Sequence, residues 1–258
     1  MEELKKPTFR EEGNLIFLDN DGLIFNAQKF GPTTFAGLRN ANYAQGFKMP
    51  TMPNLVQLVH ASLENQNYRT AEEVINTIRN FWLTGNTVAH YFEEGLFIED
   101  NPKMHSGRIV RPDFKTLESR LGKHEERGVV FSDDKEIRFT PYNYTDKIPS
   151  NTLKKFLNTL ELVSNSGVIA LVGGEENAEK MGKISEHHEV TSYLWTLFDV
   201  DFSETRVGGL HSRTVSEMFR VVVLPRDYFY RNKRRFFVSI DLTEYYDDRC
   251  SFGVKETK

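Results

Sequence analysis

The chain of 258 residues contains one cysteine, Cys250, and this count limits how its fold is held together. A single cysteine forms no intramolecular disulfide, no thiolate zinc cluster and no two-cysteine redox centre. A chain of this length can bury a core that is large enough to be stable without such cross-links. We therefore expect a fold that is stabilised by packing, with Cys250 packed beside Phe252 rather than reactive.

Charge and hydropathy exclude several partners. The 37 acidic and 33 basic residues give a net charge of −4, so no net field attracts the chain to nucleic acid or anionic lipid. The longest apolar runs, such as 168–172, have the length of a strand and are too short to cross a bilayer. Residues 1–13 are charged and do not read as a secretory signal. We expect a protein made in the cytoplasm, without a nucleic-acid partner or membrane insertion; display on a virion or a cell surface stays open.

The first part of the chain predicts a hairpin followed by helices. Apolar residues at 15–18 and 23–25 flank the turn sequence Asp-Asn-Asp-Gly at 19–22, which favours a tight connection between two strands. Apolar residues at helical spacing then predict three helices: 33–43 ended by Gly46, 51–63 with Thr51 as N-cap, and 70–82 with Thr70 as N-cap. A further hairpin is predicted over 91–98.

The rest of the chain is first irregular and then rich in strands. Residues 101–146 are charged and predict an irregular segment with short strands at 128–131 and 136–139. The later pattern predicts a helix over 150–163, a buried strand over 168–172, and strands over 192–200, 218–224, 235–242 and 251–255. Helices that cluster early and strands that cluster late favour an α+β fold.

The turn at 19–22 also carries a candidate catalytic motif. An apolar strand followed by Asp19, Asp21 and Gly22 resembles the first motif of haloacid-dehalogenase-type phosphatases, in which one aspartate attacks phosphorus beside Mg²⁺. Leu23 stands where that family usually has threonine, and no alternation of strands and helices predicts the parallel sheet that the motif needs. The pattern favours a polar hairpin turn, and a Mg²⁺-dependent phosphohydrolase that uses Asp19 and Asp21 stays the alternative.

Other motifs do not fit a metal or phosphate site. Gly173 and Gly174 precede Gly182 and Lys183 at the wrong spacing for a phosphate-binding loop. His187 and its neighbour are adjacent, so they point to different sides of a regular element and are poor joint ligands. We therefore expect no cofactor and no metal.

Two stretches of sequence resemble one known family. Residues 47–51 (Phe-Lys-Met-Pro-Thr) lead into a helix and resemble the "(W/G)-R-L-P-T-x-x-E-(W/L)" segment of C-type-lectin-like domains of the formylglycine-generating-enzyme type. Lys48 and Met49 replace Arg and Leu there, and Asn54 stands where an acidic residue often lies. Residues 220–255 resemble the closing part of that family, with Phe-Gly-Val-Lys at 252–255 in place of "G-F-R-V".

The resemblance implies a fold. It implies a single α+β, C-type-lectin-like domain over 1–258, with a small twisted antiparallel sheet, two packed helices and paired N- and C-terminal strands. We expect 15–18 to pair with 251–254. The segment from about 68 to 190 is then a long insertion relative to the family core.

The resemblance also bears on function. The oxidases of this family use a pair of cysteines and its sulfoxide synthases use an iron-binding histidine motif, and this chain has neither. It is therefore similar to the non-enzymatic branch, which includes the variable proteins of diversity-generating retroelements, including those that bind viral or phage receptors. Such proteins present a diversified C-terminal surface to a protein or glycan ligand.

Two C-terminal stretches fit such a surface. Tyrosine offers apolar area together with a hydrogen bond, and arginine adds planar donors. The types Tyr, Asp, Asn and Arg also fit a region diversified at adenines. The predicted ligand-binding residues are Asp227, Tyr228, Tyr230, Arg231, Asn232, Arg235, Tyr245, Tyr246, Asp247, Asp248 and Arg249. Ordinary solvated loops, and a subunit contact in a phage or virus particle, stay open as alternatives, and the oligomeric state is not predicted.

Overall fold

A computed structural model describes residues 8–92, 94–106, 108–110, 112–141, 155–157, 163–187, 194–196, 214–223, 234–241 and 249–257. The helices are α1 (Phe35–Arg39), α2 (Met52–Glu64), α3 (Arg69–Asn80), α4 (Phe114–Glu118), α5 (Ser166–Val172) and α6 (Glu175–Glu186). The strands are β1 (Phe9–Glu12), β2 (Leu15–Leu18), β3 (Leu23–Thr33), β4 (Trp82–Tyr91), β5 (Gly95–Asp100), β6 (Met104–His105), β7 (Arg108–Ile109), β8 (Leu121–Glu126), β9 (Val129–Ser132), β10 (Ile137–Pro141), β11 (Lys155–Leu157), β12 (Leu194–Thr196), β13 (Thr214–Val223), β14 (Arg234–Asp241) and β15 (Arg249–Glu256).

One large sheet organises the described residues. Its 13 strands run in the order β1-β2-β3-β15-β4-β13-β14-β12-β11, and a branch of β5, β10, β9 and β8 leaves from β4. On one side of β4, the first residues pair with β15 at Trp82 and Leu83, and the later ones pair with β5 from Thr87 to Tyr91. The sheet therefore forks beside β4. The α+β class is confirmed, and the sheet is larger than the sequence indicated.

The strands from the two ends of the chain pair, but not with the expected partner. The hairpin of β2 and β3 is confirmed, with Gly22 in the left-handed region (φ +63°) after a 3-10 turn over Asp19–Asp21. The last strand, β15, pairs antiparallel with β3, so that Val254 lies opposite Phe25. The predicted pairing of 15–18 with 251–254 is wrong, because β3 lies between them. Glycine and proline at 31–32 had obscured the length of β3.

The helices predicted near the N-terminus are confirmed, with changed ends. Thr51 and Asn54 form a capping box at the start of α2. The third helix begins at Arg69 and ends at Asn80, so the aromatic residues at 81–82 are outside it and Trp82 opens β4. The first helix is only five residues long and ends at Arg39, well before Gly46.

Two predictions of secondary structure are wrong. Residues 168–172 belong to helix α5: Asn165 caps it by accepting a hydrogen bond from Val168 N–H, and Gly173 ends it at φ +83°. An apolar run of this length fits a buried helix as well as a buried strand, so periodicity alone does not separate them. Within the predicted helix over 150–163, Lys155–Leu157 form strand β11, because they pair with β12; the other residues there lie mostly outside the described ones.

The segment predicted to be irregular contains part of the main sheet. Strands β8, β9 and β10 form two successive antiparallel pairs, and β10 joins β5 so that Arg138 lies opposite Ile98. The charged residues of β8 obscured this strand in the sequence. Among the described residues it pairs only with β9, so it is an edge strand, and its centre is exposed. Helix α3 and strands β4 and β5 also lie within 68–190 and contribute to the main core. The description of this range as an insertion stays a prediction.

Candidate functional site

The two aromatic C-terminal stretches can be located through the described residues that flank them. The first, 224–233, joins Val223 to Arg234, and these two residues lie opposite each other in the β13–β14 pair. The second, 242–248, joins Asp241 to Arg249, which opens β15 opposite Trp82. Chain connectivity therefore fixes all four ends of the two stretches.

Three of these four ends lie at one end of the sheet. Leu83 of β4 pairs with Phe219 of β13 and with Cys250 of β15. Val223, four residues after Phe219, therefore lies beyond the start of β4, at the same sheet end as Arg234 and Arg249. Asp241 is opposite Ser216, which pairs with Val88, and lies towards the other end.

The predicted ligand-binding residues divide into two groups. The backbone of Arg235 lies in β14 opposite Val222. Arg249 lies in β15 between β3 and β4 and is only 1% exposed. A ligand-binding role predicts a side chain at the surface, and the side chain of Arg249 is buried instead. The remaining nine lie outside the described residues: Asp227, Tyr228, Tyr230, Arg231, Asn232, Tyr245, Tyr246, Asp247 and Asp248.

The two stretches that carry the family resemblance contact each other. Lys48 N–H donates to the carbonyl of Val254, and Val254 N–H donates to the carbonyl of Lys48, both at 2.8 Å. Lys48 Nζ also lies 3.2 Å from Glu256 Oε1. Gly253 packs so closely that a Cβ there would lie 3.2 Å from Cβ of Phe47. The structure thus joins 47–51 to the end of the chain through backbone hydrogen bonds.

The alternative catalytic motif lies in a different setting from the one it needs. Asp19 is exposed and binds Arg10 at 3.2 Å, and Asp21 binds Lys180 of α6, also at 3.2 Å. Strand β2, which precedes the turn, has the antiparallel partners β1 and β3. A phosphatase motif requires the end of a strand in a parallel sheet, so this turn is a hairpin connection. Among the described residues, no group of three or more His, Cys, Asp or Glu side chains is arranged to hold a metal ion.

A buried ion pair that the sequence did not reveal lies at the fork. Arg138 of β10 donates two hydrogen bonds to Asp100 of β5, at 2.6 and 3.0 Å, and its side chain is 1% exposed. Thr87 of β4 donates to Asp100 at 2.5 Å and accepts from Met52 N–H at 2.8 Å. These contacts tie the branch to β4 and to the start of α2.

A second polar group continues along the same branch. His90 Nε2 lies 3.0 Å from Glu99 Oε2, and both side chains are buried. Arg120 reaches Glu99 at 3.5 Å and also lies near two exposed acids, Asp134 and Glu136. The charged side chains of this group bind one another, which fixes the strands. The signal for them in the sequence is a charge inside or next to an apolar strand, as Glu99 and Asp100 follow 96–98.

The fork itself is held by an asparagine. Asn86 N–H donates to the carbonyl of Pro50, and Asn86 Nδ2 donates to Asn101 at 2.9 Å. Arg39 of α1 donates to Asn86 Oδ1.

Burial changes the pKa of two residues near these contacts. It lowers the pKa of Arg39, and it raises the pKa of Tyr43, which packs beside Gly253 in the chain-end contact.

Comparisons with known proteins give one structural similarity. No family model and no curated protein matches the chain. A similar solved structure comes from work on how the C-type lectin fold accommodates massive sequence variation in Nanoarchaeota. It is 13% identical, covers 93% of this chain and 100% of its own, and has a TM-score of 0.41. A similarity at this level assigns neither a family nor a function, so the α+β class rests on the strand order and register given above. Each helix in the described part of the chain is too short or too polar to span a membrane.

Proposed function

We propose that the chain is a non-enzymatic, C-type-lectin-like binding protein that recognises a protein or a glycan through its two aromatic C-terminal stretches. The observation that carries this proposal is the common location of Val223, Arg234 and Arg249 at one end of the sheet. Both stretches, 224–233 and 242–248, have at least one end there. Loops that a rigid sheet holds side by side are a common way to build a binding surface.

The contact between the chain ends supports the lectin-like part of the proposal. The resemblance rested on 47–51 and 252–255, which are about 200 positions apart in the sequence. The paired hydrogen bonds between Lys48 and Val254 make these two stretches neighbours. Two stretches with independent roles would not need to meet, whereas two parts of one family core would.

The side-chain chemistry of the two stretches supports recognition of a macromolecule. Together they contain Tyr228, Tyr230, Tyr245 and Tyr246, with arginine and aspartate between them. Tyrosine and arginine dominate the binding energy of many protein interfaces, because they bury a large area and still make directed hydrogen bonds. Aspartates beside them supply acceptors for a polar partner.

A binding comparison tests this proposal. The wild-type chain and a variant with Tyr228, Tyr230, Tyr245 and Tyr246 all changed to Ala are applied to a glycan array and to an array of cell-surface proteins. We expect discrete signals from the wild type that fall at least about tenfold in the variant, because each buried aromatic anchor contributes about 1 kcal/mol or more. The proposal is contradicted if the wild type binds nothing, or if the variant binds equally well.

A matched control separates this surface from the general properties of the protein. Lys123 and Glu125 are exposed on the edge strand β8. Changing both to Ala removes one positive and one negative charge and leaves the net charge unchanged. We expect this control variant to retain every signal of the wild type.

The finer proposal is that the C-terminal region is diversified by a retroelement. It rests on the residue types of the two stretches, which fit a region diversified at adenines. Sequencing the DNA around the coding region tests it. We expect a reverse-transcriptase gene and a near-copy of the codons for about 221–252 that differs at adenines; neighbouring DNA without these elements contradicts it.

A further inference from the structure

Helix α2 carries a buried histidine, far in sequence from the proposed binding stretches, with one ring nitrogen that has no hydrogen bond among the described residues. His60 of α2 is 4% exposed, and its Nε2 atom makes no hydrogen bond within the described part of the chain. Burial lowers the pKa of His60 from 6.5 to about 4. Nearby charges have smaller effects: Glu64 and Asp21 raise this pKa, while Lys180 and Lys183 of α6 lower it.

The helix that packs over this position combines an apolar face with polar tethers. Met181 and Ile184 of α6 belong to the main core. Lys180, which is largely buried, binds Asp21 of the hairpin turn at 3.2 Å. At the start of the helix, Glu175 N–H donates to Glu126 at 2.8 Å. Helix α6 is therefore held at its apolar face and at its polar contacts, and its residues Lys180 and Lys183 are close enough to His60 to lower the pKa of that histidine.

The joint before α6 has the backbone freedom of two glycines. Gly173 and Gly174 have φ values of +83° and +129°, a region that residues with a side chain rarely adopt. They separate α5 from α6, and α5 is itself buried in the core. Rotation at this joint would move α6 relative to α5 and would break the buried hydrogen bond, at 2.8 Å, from Asn177 Nδ2 of α6 to the carbonyl of Val172 of α5.

The other elements that pack on α2 do not supply a counter-charge. Helix α5 has no titratable side chain. In α3 the acidic residues Glu72 and Glu73 are exposed. The titratable residues of β4 are His90, which binds Glu99, and Tyr91, the last residue of the strand.

We propose that His60 makes the docking of α6 on α2 acid-sensitive, so that protonation of this imidazole favours a state in which α6 has swung away about Gly173 and Gly174. In the docked state the imidazole stays neutral until the pH approaches 4. In the open state water reaches it, and it binds a proton near pH 6.5. The open state therefore binds more protons between these values, and opening becomes more favourable as the pH falls from 6.5 towards 4.

The size of the effect follows from the two pKa values. Linkage between pKa values of 6.5 and about 4 increases the opening equilibrium constant about 30-fold between pH 7.5 and pH 5. The tether at Glu126 persists over this range. Burial acts to raise the pKa of Glu126, but hydrogen bonds from Glu175 N–H and His124 outweigh it and hold this pKa below its ordinary value. Two histidines therefore lie at this contact: His60, and His187 directly after α6, whose Nε2 atom is 3.2 Å from Nε2 of Gln66 directly after α2. Variants at His60 distinguish their contributions.

Hydrogen exchange measured by mass spectrometry tests the proposal. Exchange in peptides that cover 175–186 is followed at pH 7.5 and pH 5 and corrected for the intrinsic chemical rate. We expect the corrected rate to rise about 30-fold in the wild type. In the variants His60→Gln and His60→Leu we expect no comparable rise, because neither side chain titrates; the use of two variants covers the case in which one does not fold. His105→Gln, which removes an exposed histidine of β6, serves as the control and keeps the rise.

Two results would overturn the proposal. One is an equal rise in the wild type and in both His60 variants, since another group would then be responsible. The other is a rise of the same size in peptides that cover Val129–Ser132, because the acid effect would then be global unfolding rather than release of α6. Neither result bears on binding by the C-terminal stretches.

Discussion

Strands β15 and β5 pair with different parts of the same side of β4, and different interactions stabilise them. At the start of β4, β15 and β3 form a seam between the two ends of the chain, and its close packing depends on glycines such as Gly31 and Gly253. Further along, β5 and β10 form a branch that contains the buried pair Asp100 and Arg138. The seam of β15 and β3 is therefore sensitive to added volume, and the branch of β5 and β10 is sensitive to the loss of a charge.

This difference explains which interactions tolerate change. A buried charge that loses its partner stays desolvated without compensation, and this costs more than the intact pair contributes. A glycine in a close contact has no spare space, so even one methyl group forces the backbone apart. The following predictions test whether the two regions respond in these different ways.

The largest effect is expected in the branch. Asp100→Ala leaves the guanidinium of Arg138 buried without an acid, which we expect to lower the free energy of unfolding by about 4 kcal/mol. Urea denaturation followed by circular dichroism measures this loss. Changing Asp100 to Leu and Arg138 to Met together is expected to restore most of the lost stability, because no charge is then buried. A double variant as unstable as the sum of its single variants would contradict the role of the ion pair.

The seam should respond to added volume. In Gly31→Ala the new Cβ meets the carbonyl of Arg249, and the residue must also keep a φ of +102°. We expect a loss of about 3 kcal/mol from this contact and strain together. Gly13→Ala is the matched control, because Gly13 also has a positive φ (+60°) but nothing lies within 4 Å of the added atom. Equal losses in the two variants would mean that only the backbone angle matters and that the seam is not tightly packed.

The asparagine at the fork should have an intermediate effect. Asn86→Ala removes side-chain hydrogen bonds to Arg39 and Asn101, which we expect to cost about 2 kcal/mol. Thermal unfolding measures the change. Asn80→Ala is the control, since Asn80 is exposed and, among the described residues, its side chain donates only to the carbonyl of Asn76 in its own helix. If Asn86→Ala lowers the stability no more than Asn80→Ala does, Asn86 does not stabilise the fork.

The smallest effect is expected at the start of α2. This helix follows Lys48, which bonds to Val254 in the seam, and its Met52 N–H donates to Thr87 beside the branch. Thr51→Ala removes the side-chain half of the capping box of α2, which we expect to lower stability by about 1 kcal/mol. Asn54 Oδ1 accepts hydrogen bonds from both the N–H and the hydroxyl of Thr51. Adding Asn54→Ala to Thr51→Ala should therefore cost less than Asn54→Ala alone. Additive losses measured by urea denaturation would show that the two side chains do not act as a unit.

Features that depend on neighbouring residues could be predicted from the sequence, whereas contacts between distant residues could not. Helices over 51–63 and 70–82 were predicted because their apolar residues recur at helical spacing and Thr51 marks a start. The structure has them at Met52–Glu64 and Arg69–Asn80. The pairing of Asp100 with Arg138 was not, since the two residues are 38 positions apart and each reads as a surface charge. Residues 168–172 were misread because an apolar run without a polar face has no period. Of the candidate binding residues, Arg249 was placed in a loop because its burial depends on strands β3 and β4, which are distant in sequence.

The central claim is that 224–233 and 242–248 form one binding face, and the distance between them tests it most directly. Spin labels at Phe229→Cys and Asp247→Cys, measured by double electron–electron resonance, report this distance, and Cys250 stays unlabelled because it is fully buried. A single face predicts a mean distance of less than about 20 Å. A mean distance beyond about 26 Å, the length of the eight residues of β14, would place the two stretches at opposite ends of the sheet and contradict the proposed function.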